Sequence, residues 1–110
     1  MSGDQGAIVI DVAATIGETD ALSREAGERL ATEVSAKMSS KVVLNFLGIG
    51  AVNSAFMAAF LLSMVERVDL TELSARVGFK GLSSRGGEVV RNSISRVRER
   101  VAGGHLGEVE

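Results

Sequence analysis

The feature that most constrains the fold of this chain is a run between Lys41 and Glu66 that contains no charged side chain. A run of this length and hydropathy satisfies the usual criterion for a membrane-spanning helix. Its composition changes halfway, however. Residues 42–47 have strand character, two glycines interrupt the pattern, and Asn53-Ser54 is typical of a helix start. The run therefore predicts a buried strand, a turn and a buried helix.

The whole chain alternates between strand-like and helix-like patterns. In chain order these patterns predict a strand over 8–16, a helix capped by Ser23, a strand over 42–47, a helix over about 54–67, a strand over 76–82 and a helix over about 87–101. This β-α-β-α-β-α order predicts an α/β fold with a mainly parallel or mixed sheet packed by helices. We expect one domain over residues 1–102 and a flexible tail over 103–110, with Gly103-Gly104 ending the last helix.

Two of these elements are unusually apolar. The strand at 42–47 is nearly continuous in apolar residues, so we expect it to be central and covered on both faces. The following helix is apolar almost all the way round and must be buried on more than one side, within the domain or against a partner. We expect some of Phe56, Met57 and Phe60 to be exposed at its N-terminal end as a partner site.

Composition excludes several kinds of function. The chain has 110 residues, no cysteine and one histidine, His105, which removes disulfides, thiolate zinc sites and sites that need several histidines. Gly48-Ile49-Gly50 is no dinucleotide fingerprint, because the third glycine of that motif would fall at Asn53. We therefore expect no enzymatic activity, no metal and no cofactor. The first residues lack the pattern of a signal peptide, which favours a cytoplasmic protein.

The strand and helix around Asn45 and Asn53 resemble the STAS domains of anti-sigma-factor antagonists. Those domains carry an acidic residue where Asn45 stands, and their helix opens with Asp-Ser-Ser-Gly, which falls on Asn53-Ser54-Ala55-Phe56. The chain departs from this pattern at three points, because both acids are Asn and the Gly is Phe.

A divergent bacterial STAS-like family of unknown function looks similar over nearly the whole chain. Its marks are a Ser-Arg at the first helix, a Ser-x-Phe helix opening and a Val-x-Phe-x-x-Leu strand, here Ser23-Arg24, Ser54-Ala55-Phe56 and Val77-Gly78-Phe79-Lys80-Gly81-Leu82. The resemblance implies a regulatory protein-interaction module whose partner is a histidine-kinase-type ATPase or an anti-sigma-like regulator. Homo-oligomerisation stays open.

Ser54 is the residue that physical chemistry singles out within this resemblance. A serine at a helix start lies beside free backbone N–H groups and the positive end of the helix dipole, where a phosphate is stabilised. Ser54 is thus a candidate switch, operated by phosphorylation or by a nucleotide-handling partner. The alternative is that Asn53 or Ser54 is only a helix cap.

A second functional class stays open at residues 70–94. This stretch resembles the first helix and Val-Gly-Phe turn of a helix-turn-helix, which would make the chain a DNA-binding regulator. Against this alternative, glycines interrupt the would-be recognition segment, a lone helix-turn-helix would leave the long apolar run unexplained, and no Tyr or Trp can stack on bases. The polar face of the last helix is basic, with arginines at 85, 91, 96, 98 and 100. This face is either simply solvated or a binding patch for an acidic partner or phosphate, with Arg85, Arg91 and Arg98 as the candidate residues.

Overall fold

A parallel sheet and a layer of helices make up the computed structural model, which describes residues 7–109 and side chains as far as Arg100. The elements in chain order are β1 (Ile8–Asp11), α1 (Val12–Ile16), α2 (Arg24–Ser35), β2 (Val42–Asn45), α3 (Ser54–Val65), α4 (Leu70–Arg76), β3 (Val77–Lys80) and α5 (Ser84–Val109). This architecture confirms the predicted α/β fold class. No helix in the described part of the chain is long and apolar enough to cross a membrane.

The sheet has the order β1-β2-β3, and both neighbouring pairs are parallel. β2 is therefore central, as predicted. Each strand pairs with the next strand of the chain, so both crossovers step in the same direction. Because such crossovers are right-handed, their helices fall on the same face of the sheet. On the covered face the register aligns two rows, the first made of Ile8, Val42 and Val77 and the second of Ile10, Leu44 and Phe79.

The opposite face of the sheet is not covered by any of the residues that the structure describes. Val9 is 54% exposed, and a Cβ built on Gly78 would meet no atom within 4 Å. Val43, between them in register, is half-buried. The expectation that residues 42–47 are covered on both faces is therefore wrong. One layer of helices protects one face, whereas parallel sheets are usually covered on both.

The predicted first strand is also wrong beyond Asp11. The chain turns there into α1, whose first turn is capped by the Asp11 carboxylate, which accepts a hydrogen bond from the backbone N–H of Ala14 at 3.5 Å. Gly17 ends this helix in the left-handed conformation, with φ of 73°. Val12 and Ile16 are both buried, and a spacing of four residues suits one face of a helix as well as one face of a strand.

The apolar helix α3 lies at the centre of the helical layer, between α2 and α5. Phe56, Met57 and Phe60 are fully buried, so the expectation that they form an exposed patch is wrong. The physical reason is close approach. A Cβ on Gly27 of α2 would overlap the backbone carbonyl oxygen of Phe56 and would lie 3.0 Å from the backbone nitrogen of Phe60. The two backbones nearly touch, which buries the face of α3 that carries these three side chains.

The C-terminal helix differs from its expected bounds. It begins at Ser84, three residues early, because the Ser83 hydroxyl accepts a hydrogen bond of 3.0 Å from the backbone N–H of Gly86. It continues to Val109, past Gly103-Gly104, since a glycine weakens a helix without forbidding it. The flexible tail over 103–110 stays a prediction, because side chains beyond Arg100 and the structure of residue 110 lie outside the described residues.

Candidate functional site

The start of α3 is anchored by Asn53. Its side-chain oxygen accepts a hydrogen bond of 2.9 Å from the backbone N–H of Phe56, and its amide nitrogen donates one of 3.1 Å to the carbonyl of Leu22. Its own backbone N–H donates to the carbonyl of Ala21 at 3.1 Å. Asn53 is therefore the helix cap, and it also ties α3 to the segment that precedes α2. Ser54, the other candidate for the cap, is not the capping residue.

Ser54 is the first residue of α3 and is exposed. It lies at one end of a groove of about 190 Å³ between α3 and α5. On the α5 side this groove is lined by Arg96 and Arg100, both exposed, and by the buried residues Ser93 and Val97. The groove therefore combines two guanidinium groups, two hydroxyls and the positive end of a helix dipole, a set that stabilises an anion.

The predicted basic patch is not one surface. Arg85 and Arg91 line a broad cleft at the start of α5, together with Lys80 at the end of β3 and Glu88. Arg98 instead lies on the rim of a separate apolar cavity between α3, α4, β3 and α5. All three predicted arginines are exposed, but the structure brings only the first two together. The arginines that share a groove with Ser54 are those at 96 and 100, which belong to the basic face of the helix but not to the candidate patch.

The helix-turn-helix alternative is not supported by the geometry of residues 70–94. Between α4 and α5 the chain forms β3, which pairs with β2 along its whole length. Beyond the strand, the backbone N–H of Phe46 donates to the carbonyl of Lys80 at 2.8 Å, and Gly81 turns with φ of 78°. α4 and α5 are thus separated by a strand of the central sheet, and the Val-Gly-Phe sequence is part of that strand.

The described residues contain no cluster of three or more His, Cys, Asp or Glu side chains placed to hold a metal ion. Comparison of the chain with protein-family models, curated proteins and solved structures gave no match.

The residues that carry the STAS-like resemblance lie at structural junctions. Ser23 caps α2 by accepting a hydrogen bond of 3.1 Å from the backbone N–H of Ala26. Ser54-Ala55-Phe56 opens α3, and Val77–Lys80 forms β3. Each motif therefore has a structural role in this fold.

Two features of the sequence mark this groove, and neither was connected with Ser54. Arg96 and Arg100 are one helical turn apart, and Ser93 interrupts the apolar stripe of α5 between Val90 and Val97. A polar residue inside an apolar stripe is a signal that the stripe borders a groove. The apolar cavity between α3, α4, β3 and α5 has no comparable signal in the sequence, because its lining comes from four separate elements.

Proposed function

We propose that the chain is a non-enzymatic regulatory protein-interaction module of the STAS-like kind, with Ser54 as its switch. The observation that carries the proposal is the position of Ser54. The residue is exposed, lies in the first turn of a buried helix, and shares a groove with Arg96 and Arg100. In the cytoplasm, where we place the protein, such a serine is accessible to a kinase.

Phosphorylation of Ser54 would change the charge of this groove. A phosphoserine adds about −1.5 to −2 charges and three acceptor oxygens. Two guanidinium groups at the groove are the donors that such a phosphate pairs with best. The modification would therefore neutralise the groove and hold α3 to α5, while Asn53 keeps the helix start in place.

The burial of the apolar side chains near Ser54 determines how its phosphorylation would affect a partner. Because Phe56, Met57 and Phe60 are buried, the phosphate would not repel an apolar partner patch. It would instead remove the free positive charge of the α3–α5 groove, which is what an acidic partner surface recognises. The partner class that fits the resemblance is a histidine-kinase-type ATPase or an anti-sigma-like regulator, and it would bind the unmodified form.

The proposal is tested with two variants and a matched control. The partner is first captured from native cytoplasm and purified, and its affinity is then measured for each form. We expect Ser54→Asp to weaken binding at least about tenfold, since a charge pair at an interface is worth about 1.4 kcal/mol or more. Ser54→Ala should bind as the unaltered protein does. Ser39→Asp, at an exposed serine before β2, is the control. If Ser54→Asp binds the partner as tightly as the unaltered protein does, Ser54 is not a switch.

A further inference from the structure

An apolar cavity of about 250 Å³ lies beneath α4, away from Ser54. Its walls come from α3, α4, β3 and α5, and its apolar lining consists of Phe60, Leu61, Leu70, Leu73, Val77, Phe79, Ile94 and Val97. Protein interiors are close-packed and contain few voids larger than a water molecule. An apolar cavity of about 150 Å³ is already large enough to bind benzene. This cavity therefore has room for an apolar ligand larger than benzene.

The cover of the cavity is lightly attached. α4 buries a single residue, Leu73, and the Asp69 side chain makes no cap hydrogen bond at its start. The C-terminal end is held by Arg76, whose guanidinium donates to the carbonyls of Met38 and Ser39 at 3.2 and 3.4 Å. A helix fixed at one end and weakly packed at the other can move enough to admit a small molecule.

Among the described side chains, two polar groups lie at the rim of the cavity, and both can donate hydrogen bonds. These are the guanidinium of Arg98 on α5 and the hydroxyl of Ser74 on α4. Arg98 is exposed, and the ion pairs found among the described residues do not include it. An apolar interior with one cation at its mouth is complementary to a molecule with an apolar body and one anionic head.

We infer that this cavity binds an aliphatic carboxylate of medium chain length, with its chain inside and its carboxylate on Arg98 and Ser74. The volume sets the length. At roughly 30 Å³ for each group the size of a water molecule, 250 Å³ holds about eight such groups. Octanoate fits this description. The inference does not depend on the proposed role of Ser54, because the carboxylate site and the α3–α5 groove are lined by different arginines.

The first experiment is a chain-length series from butanoate to dodecanoate, measured by titration calorimetry and by NMR shifts of the Leu70 and Ile94 methyl groups. Affinity should rise about fourfold for each added methylene group and stop rising near eight carbons, when the cavity is full. If octanoate does not shift these methyl groups, or if affinity rises unbroken to dodecanoate, the cavity is not the binding site.

The second experiment isolates the head group. Octanoate should bind the unaltered protein at least tenfold more tightly than octanol, and Arg98→Gln should abolish that difference while octanol binding is retained. Arg91→Gln, on the same helix but in the other cleft, is the matched control and should preserve the preference. Ile94→Phe should block both ligands while the melting temperature stays equal or rises, since the added ring occupies the void. An octanoate preference that survives Arg98→Gln would overturn the assignment of the carboxylate.

Discussion

The contact between α2 and α3 makes Gly27→Ala the most informative test of the packing. Gly27 lies inside α2 and is buried against the first turn of α3. A Cβ at this position would overlap the carbonyl oxygen of Phe56 and would lie 3.1 Å from the Cβ of Ala59. The principal obstacle is backbone, which cannot rotate away as a side chain can. The two helices must therefore separate, and the contacts of the buried start of α3 loosen with them.

Two opposing effects determine the size of the change in unfolding free energy. Replacing glycine by alanine inside a helix is favourable by roughly 0.5–1 kcal/mol. Inserting a methyl group into a closely packed site costs about 1–3 kcal/mol, and contact with backbone favours the upper end. We expect a net loss of about 2 kcal/mol. In a domain of this size that corresponds to a melting temperature lower by about 8 °C.

The assay is urea and thermal unfolding followed by circular dichroism, with Gly87→Ala as the matched control. Gly87 is also helical, but the nearest atom to its added Cβ is the mobile Nη1 of Arg91 at 3.5 Å. This control should be more stable than the unaltered protein, by up to about 1 kcal/mol. If Gly27→Ala also gains stability, α2 and α3 are not in backbone contact and the reasoning is refuted.

Other substitutions test other parts of the structure. Asn53→Ala should lower the unfolding free energy by about 1–2 kcal/mol in urea titrations, because it removes the α3 cap and the bond to the preceding segment; an unchanged midpoint would contradict the cap. Leu44→Ala, at the fully buried centre of the sheet, should cost about 2–5 kcal/mol in the same assay. Gly81→Ala should also destabilise measurably, since its φ of 78° disfavours a side chain. In gel-shift assays at physiological salt we expect no sequence-specific DNA binding, and a salt-sensitive shift lost on Arg85→Gln or Arg91→Gln would contradict this.

The parts of the fold that the sequence predicts are those where two independent signals agree. The uncharged run splits into β2 and α3 as expected, because its glycines and Asn53 separate two apolar patterns. The segment after Asp11 was mistaken for strand, because Val12 and Ile16 satisfy both the strand and the helix period. The apolar period alone cannot resolve that ambiguity, and in the structure the segment forms the short helix α1, which ends at Gly17.

The candidate site was harder to predict, because it depends on packing between distant elements. An all-round apolar helix indicates burial on several sides but does not say whether the domain or a partner supplies the cover. The position of Gly27 in α2, close to the Phe56 backbone, answers that question for this chain. The same limit applies to Ser54. Its identity as a helix start is visible in the sequence, whereas its proximity to Arg96 and Arg100 is a tertiary fact.

The open face of the sheet offers a practical advantage for chemical labelling. Gly78 lies on that face, where an added Cβ would meet no atom within 4 Å. The chain contains no cysteine, so Gly78→Cys would introduce a unique thiol for a fluorophore or spin label. Such a label would lie across the sheet from the helical layer that contains Ser54 and the apolar cavity. Gly78 lines neither the groove nor the cavity, so the label would not obstruct a ligand in either one.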